Sequence, residues 1–389
     1  MIRLQPKYRA LTLTSLIHGV NHSFWVIVPV VLTFVIQEFQ VSVAEAGLLF
    51  TAFLVSYALS QLPVGSIADR VDRRWLIGIG LGVTSVGMIL SSFANTFAEL
   101  LAYQIIAGIG GGTFHPSSIS IISDHFNDKE RGRALGLHGF AASLALFLSP
   151  LAVSYFLGLG WRFPFLAMGL TGLFFTVIFV SLVGKQKKLN PGKMGYVDVV
   201  SHNRPLLFLA SAGALLAMSE RGLVTFLPLF LIVSYGLSVM LASQLFAFLF
   251  LLAIPGQIIG GLLTDRVNRR LLAATLGSIV TVMLLVLSVK PPQVLILPIL
   301  ALLGIAVYGL IPLLDTLIVG TIPAAGRGKG LGAYFTISIT VGAFSPVISG
   351  QIIDHYGFQI IYVILATIAF ISLPIIVKHA KFTDFQSSK

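Results

Sequence analysis

A stretch of sixteen residues occurs twice in this chain, 196 positions apart. Gln61-Leu-Pro-Val-Gly65-Ser-Ile-Ala-Asp69-Arg70-Val71-Asp72-Arg73-Arg74-Trp-Leu76 returns as Gln257-Ile-Ile-Gly-Gly261-Leu-Leu-Thr-Asp265-Arg266-Val267-Asn268-Arg269-Arg270-Leu-Leu272, with half of the positions identical. A second pair keeps the offset. Arg131-Gly132-Arg133, leading to Ser149-Pro150, matches Arg327-Gly328-Lys329, leading to Ser345-Pro346, and Gly108 and Pro116 fall on Gly304 and Pro312 without a gap. A duplication covering about half of the chain calls for one architecture built twice.

The material of that architecture is apolar. Hydrophobic residues make up 56% of the chain and charged residues 10%, against roughly 45–50% and about 25% in soluble domains. Read with a window of about 19 residues, the chain gives twelve apolar spans, near 10–36, 44–67, 75–95, 98–123, 132–158, 161–183, 205–234, 239–264, 271–289, 292–322, 329–352 and 357–378. Each is long enough to cross a bilayer. Backbone groups in hydrocarbon must be satisfied within the segment, and these runs are long and broken mainly by Gly and Pro, so helices are expected rather than a barrel. The expected fold class is an all-α membrane protein with twelve transmembrane helices in two pseudo-symmetric six-helix halves. The first half is 1–183, the second 205–389, and the polar, Lys-rich segment 184–204 links them.

Charge orients the spans. Of the 25 Lys and Arg, 22 fall in the terminal tails and the even-to-odd loops. Only Arg162 and Lys290 fall on the opposite side, and Arg221 lies inside span 7. An excess of Lys and Arg marks cytoplasmic loops, so both termini are expected in the cytoplasm of a multi-pass protein of the cell (inner) membrane. The net charge of +11 is then explained by loops beside anionic lipid headgroups, and no nucleic-acid partner is expected. The basic residues before span 1 resemble the start of a secretory signal, but the apolar run is too long for one and no small-residue cleavage site follows, so it reads as a retained helix. With no Cys, disulfides and thiolate metal sites are excluded.

The repeated segment, Gly-x-x-x-Asp-Arg-x-x-Arg-Arg between spans 2 and 3 and again between spans 8 and 9, resembles the signature loop of the major facilitator superfamily. Its conformational residues would be Gly65, Asp69, Arg70 and Arg73 in the first copy and Gly261, Asp265, Arg266 and Arg269 in the second. The glycines are expected to allow close helix contact and the Arg residues to anchor the loop at the cytoplasmic face. The family usually has Gly where this chain has Asp72 and Asn268; both residue types tolerate left-handed turns. Gly108-Ile-Gly110-Gly111-Gly112-Thr-Phe114-His115-Pro116 in span 4 and Thr225-Phe226-Leu227-Pro228 in span 7 are similar to the fosmidomycin-resistance branch. Its His-x-x-Asn-Asp in span 1 appears here as His18-Gly-Val-Asn21-His22, with His22 in place of Asp. Two motifs of drug–proton antiporters are altered, with Gln104 where Arg is usual and Ser149-Pro150 where Gly-Pro is usual.

The glycine run in span 4 lacks the last Gly of a dinucleotide fingerprint and follows no strand, so it reads as helix packing, and no Walker-type Gly-Lys-Ser/Thr occurs. No cofactor and no enzyme constellation are expected. Ionisable side chains within the spans instead mark the function: His18 and His22 in span 1, His115 in span 4, Glu220 and Arg221 in span 7, Asp315 in span 10. In the fold that the chain resembles, these four helices line the central cavity. Charges in a bilayer are costly and usually face a cavity or one another, so these residues, with Asn21, Trp25 and Tyr308, form the expected pathway for substrate and protons. His18, His115 and Asp315 lie at similar depth, roughly 10–12 Å from the cytoplasmic ends of their helices. His125, Asp124 and His138 are read as interfacial. His18 and His22 at i, i+4 could hold a metal with His115 as the third ligand; a metal site is not the expectation. Taken together, the residues and the resemblance imply a monomeric secondary transporter that rocks two halves around a central site and exports small amphipathic or drug-like molecules in exchange for protons. The alternatives are a proton symporter or exchanger of an organic anion held by Arg221, a lipid translocator, or a sensor that transports nothing.

Overall fold

The computed structural model describes residues 5–67, 71–186, 203–322 and 327–380. All regular structure among them is helical. The helices are α1 (Pro6–Ser23), α2 (Ile27–Phe39), α3 (Val43–Ile67), α4 (Arg73–Ser91), α5 (Phe97–Gly111), α6 (Phe114–His125), α7 (Asp128–Phe156), α8 (Phe163–Leu182), α9 (Arg204–Tyr235), α10 (Val239–Arg266), α11 (Arg269–Ser288), α12 (Ile296–Thr321), α13 (Arg327–Ala343) and α14 (Ser345–His379). Eleven runs among the described residues are long and apolar enough to cross a membrane. The last of these, Gly332–His379, is 48 residues long, well over twice the roughly 20 that a bilayer needs. Within it, Gly357 leaves the helical region at φ 80°, ψ 176°.

Two spans are broken where the site lies. A 3₁₀ turn, Phe24–Val26, joins α1 to α2, and Gly112-Thr113 separates α5 from α6 just ahead of Pro116. The glycines of α5 serve packing: a Cβ at Gly108 or Gly112 would strike the backbone carbonyl of Phe53 or Tyr57 on α3. Such close approach of backbones is what small residues provide between membrane helices.

The repeated loops start their helices in the same way. Asp72 accepts a hydrogen bond from Arg74 N–H at 3.0 Å, and Asn268 accepts from Arg270 N–H at 2.9 Å and Leu271 N–H at 3.3 Å. Neither residue is left-handed; their φ/ψ of −71°/110° and −61°/113° are those of extended N-caps. Asp and Asn therefore stand in the family's Gly position because their side chains satisfy the first amides of α4 and α11, not because they tolerate a left-handed turn. The expectation for Gly261 also needs correction. Its Cβ position meets only Pro312 at 3.8 Å, whereas a Cβ on the preceding Gly260 would sit 2.7 Å from Gly309 Cα. The close contact between α10 and α12 is one residue earlier than the motif implied.

By their internal contacts the residues fall into two compact units, one comprising 1–193, 224–250 and 343–355, the other 194–223, 251–342 and 356–389. In the first, α4 packs against α5 and α8, α3 against α5, and α1 against α7. In the second, α11 packs along α12.

Candidate functional site

Four imidazoles gather in the first unit. His18 and His22 are one turn apart on α1, with ring centroids 4.8 Å apart, and His115, at the start of α6, stands 5.2 Å from His18 and 5.5 Å from His22. The helix break at Gly112-Thr113 delivers His115 to this place. The nitrogens of these three rings that could ligate lie within 4.8 Å of one another. His138 of α7 stacks on His18 at 4.1 Å and is itself buried.

The backbone settles the state of His18. Its Nδ1 is 2.8 Å from the carbonyl oxygen of His138, and a carbonyl only accepts, so Nδ1 carries the proton and donates it. In the neutral ring the lone pair then sits on Nε2, which is buried and has no hydrogen-bond partner among the described residues. Asn21, fully buried, donates from Nδ2 to Tyr57 Oη at 3.1 Å. Trp25 lies against His22 with centroids 4.9 Å apart and meets Tyr57 edge-on at 5.3 Å.

The second unit holds another polar group. Glu220 and Arg221, neighbours on α9, form an ion pair at 2.9 Å, although successive helical side chains point about 100° apart. Tyr308 of α12 donates to Glu220 Oε1 at 3.1 Å. Beside Glu220 is a cavity of about 20 Å³ bordered by Ser219, Leu223, Leu284 and Val307, room for a single water molecule. Asp315, two turns further along α12, has its Oδ1 shut off from solvent and without a hydrogen-bond partner among the described residues. Tyr334 of α13 lies within electrostatic range of it.

Of the expected conformational residues, Asp69 and Arg70 lie outside the described residues. Arg73 is completely buried and donates to Asp124 Oδ2 at 2.6 Å. Its repeat partner Arg269 donates from Nε to the Thr264 carbonyl at 3.0 Å and lies 3.7 Å from Asp265, which is exposed. Arg266 is an exposed residue in the last turn of α10, where a cation complements the helix dipole.

Sequence reasoning placed His138 and Asp124 at the interface; the structure puts His138 inside the histidine cluster and makes Asp124 the partner of a buried guanidinium. The available signal for His138 was its place inside an apolar span, seven residues beyond Arg131 and nearly three turns into α7. Tyr57 was missed altogether, because it lies in span 2, outside the four spans expected to line the cavity, and carries no charge to draw notice.

Comparison with known proteins gives the family. The model of the Major Facilitator Superfamily matches residues 14–344. The Fosmidomycin resistance protein of Escherichia coli is 25% identical over 90% of this chain and 88% of its own length. The "Probable L-galactonate transporter" of Escherichia coli is 27% identical over 59% of this chain and 55% of its own length, so the chain spans about half of that relative. Among solved structures, a bacterial homologue of the human lysosomal transporter Spinster superposes with a TM-score of 0.83 at 18% identity, covering 97% of both chains. At that identity the likeness concerns the fold. An all-helical chain with many apolar spans, a duplicated loop and a family match across most of its length is a multi-pass membrane protein belonging to the Major Facilitator Superfamily.

Proposed function

We propose that this chain is a proton-coupled exporter of small amphipathic or drug-like molecules, working by alternating access in a cell membrane, with Asp315 carrying the coupling proton. Twelve spans, the last two divided at Gly357, and two six-helix halves with both termini in the cytoplasm complete the reading. The observation that carries it is the pair of buried and half-buried polar groups, His18–His22–His115 and Glu220–Arg221–Tyr308 with Asp315, inside helices that are otherwise apolar. Such groups are costly in a membrane and mark a substrate or ion path. The relative matched along most of both chains bears a drug-resistance name, which favours export of a drug-like compound.

A second reading has support of its own. Relatives named as galactonate and galactarate/glucarate transporters match parts of the chain, and Arg221 could hold an organic anion. Arg221 already faces Glu220 at 2.9 Å, so an anion there would compete with a carboxylate in place, which ranks this reading second.

The test uses Asp315→Asn. In cells stripped of their own exporters, the wild type should protect against amphipathic toxic compounds. In vesicles a proton gradient should drive accumulation by the wild type but not by the variant, while exchange of substrate for substrate persists. A variant that still concentrates substrate makes Asp315 structural and Glu220 the next candidate. Uptake of a sugar acid with protons, and no protection, would replace export by the second reading.

A further inference from the structure

We infer that His18, His22 and His115 form a binding site for one borderline transition-metal dication of the Zn²⁺ class. Three observations carry this. The first is geometric: a tetrahedral ion with Zn–N bonds of about 2.0–2.1 Å places the centroids of three imidazole ligands about 5.2 Å apart. The three centroid separations are 4.8, 5.2 and 5.5 Å. The nitrogens lie within 4.8 Å of one another and would close to about 3.3 Å around such an ion.

The second observation is the hydrogen bond from His18 Nδ1–H to the His138 carbonyl. Ligating histidines characteristically donate their other nitrogen to a carbonyl or carboxylate, which fixes the tautomer and turns the lone pair toward the metal. The third is the state of that lone pair: His18 is 7% exposed and its Nε2 has no hydrogen-bond partner among the described residues. A buried polar atom left in that way is unfavourable, and an ion would satisfy it. Phe114 and His138 both stack on the His18 ring, at 5.2 and 4.1 Å, and on each other at 5.8 Å.

The ligand chemistry selects the ion. Imidazoles without a carboxylate suit Zn²⁺, Ni²⁺, Co²⁺ and Cu²⁺ rather than Mg²⁺ or Ca²⁺, which take oxygen ligands. Three protein ligands leave the fourth position open, as in sites where an exogenous oxygen donor completes the sphere. A substrate with a carboxylate or hydroxyl oxygen could bind there. That last step rests on the transport reading above; ion binding itself does not.

The experiment uses the full-length protein in detergent and requires no transport. Co²⁺ should give visible d–d absorption from a nitrogen-ligated ion, and one equivalent of Zn²⁺ should bleach it. His22→Gln and His115→Gln should each weaken Zn²⁺ binding by tenfold or more, whereas His355→Gln, at an exposed histidine, should leave it unchanged. X-ray absorption of the Zn²⁺-loaded wild type should show scattering from three imidazoles, a readout independent of whether any variant folds. Fewer than three imidazoles in that spectrum, binding that survives both cluster variants, or equal loss in His355→Gln would overturn the site. Proton-driven transport that is intact in a metal-free protein would leave the transport reading standing whatever the metal result.

Discussion

Arg73 shows how one residue of a repeated motif acquires a role its copy lacks. Its guanidinium is completely buried against Asp124, whose side chain keeps 31% exposure. The position of Asp124 in the second copy of the repeat is Gly320, and Arg269 instead donates to the Thr264 carbonyl and lies 3.7 Å from the exposed Asp265. Removing one partner of a buried ion pair leaves the other desolvated and uncompensated, at a cost of roughly 3–5 kcal/mol when both are buried. The asymmetry in exposure predicts which removal is worse. Asp124→Ala removes the carboxylate that faces a completely buried guanidinium and should lower the melting temperature of the purified protein strongly. Arg73→Met leaves a carboxylate that water can reach and keeps most of the packed volume, so its effect should be clearly smaller. Equal effects, or the reverse order, would mean that the pair does not hold the loop.

At the scale of the element, the start of α3 is capped from a distant part of the chain. Asp354 of α14 accepts hydrogen bonds from the Val43 and Ala44 amides at 2.9 and 2.8 Å, the free N–H groups of the first turn. In the other direction, Thr51 Oγ1 of α3 accepts from the Val347 amide in the first turn of α14 at 3.2 Å, so α3 and the first part of α14 hold together at two levels. Asp354→Ala should cost about 1 kcal/mol of stability, the usual effect of losing a cap, and Asp354→Asn should recover part of it because the amide oxygen still accepts. Melting temperatures of the two variants decide it; an Asn variant as unstable as Ala would show that charge, not capping, matters. Helices of this kind were largely legible beforehand, since span length and apolarity follow from the bilayer. Contacts such as Asp354 with Val43 were not, because 311 residues separate them and nothing local in an exposed Asp indicates its acceptor role. The N-caps Asp72 and Asn268 were visible as residues but misread, because the family comparison drew attention to backbone freedom rather than to the side-chain oxygen.

For the whole molecule, the repeat and the chemistry turn out to occupy different residues. At the same offset that aligns the loops, His18 falls on Ala214, His22 on Met218, His115 on Ile311, Glu220 on Phe24, Arg221 on Trp25 and Asp315 on Ile119. The scaffold is therefore written twice and each polar cluster once. This is why the superfamily could be recognised from the sequence while the partnering of the site residues could not: repetition constrains helix number and packing, but a site made of departures from the repeat has no second copy to compare. The same charge pattern that accompanies the repeat makes a prediction about orientation. In a chain without Cys, single cysteines can be placed at will, and at Lys187, in the Lys-rich linker sequence, and Lys329, at the start of α13, they should react only with a reagent on the cytoplasmic side. For the opposite side Lys290 is a poor choice, because it sits at φ 50°, where a side-chain-bearing residue is strained. Gln293, exposed and three residues on, avoids that strain, so Gln293→Cys should react only from outside. Labelling of intact cells with a membrane-impermeant maleimide, before and after permeabilisation, reads both arms. Reversed accessibility would invert the molecule in the membrane, put the histidine cluster near the opposite face, and turn the proposed export direction into uptake.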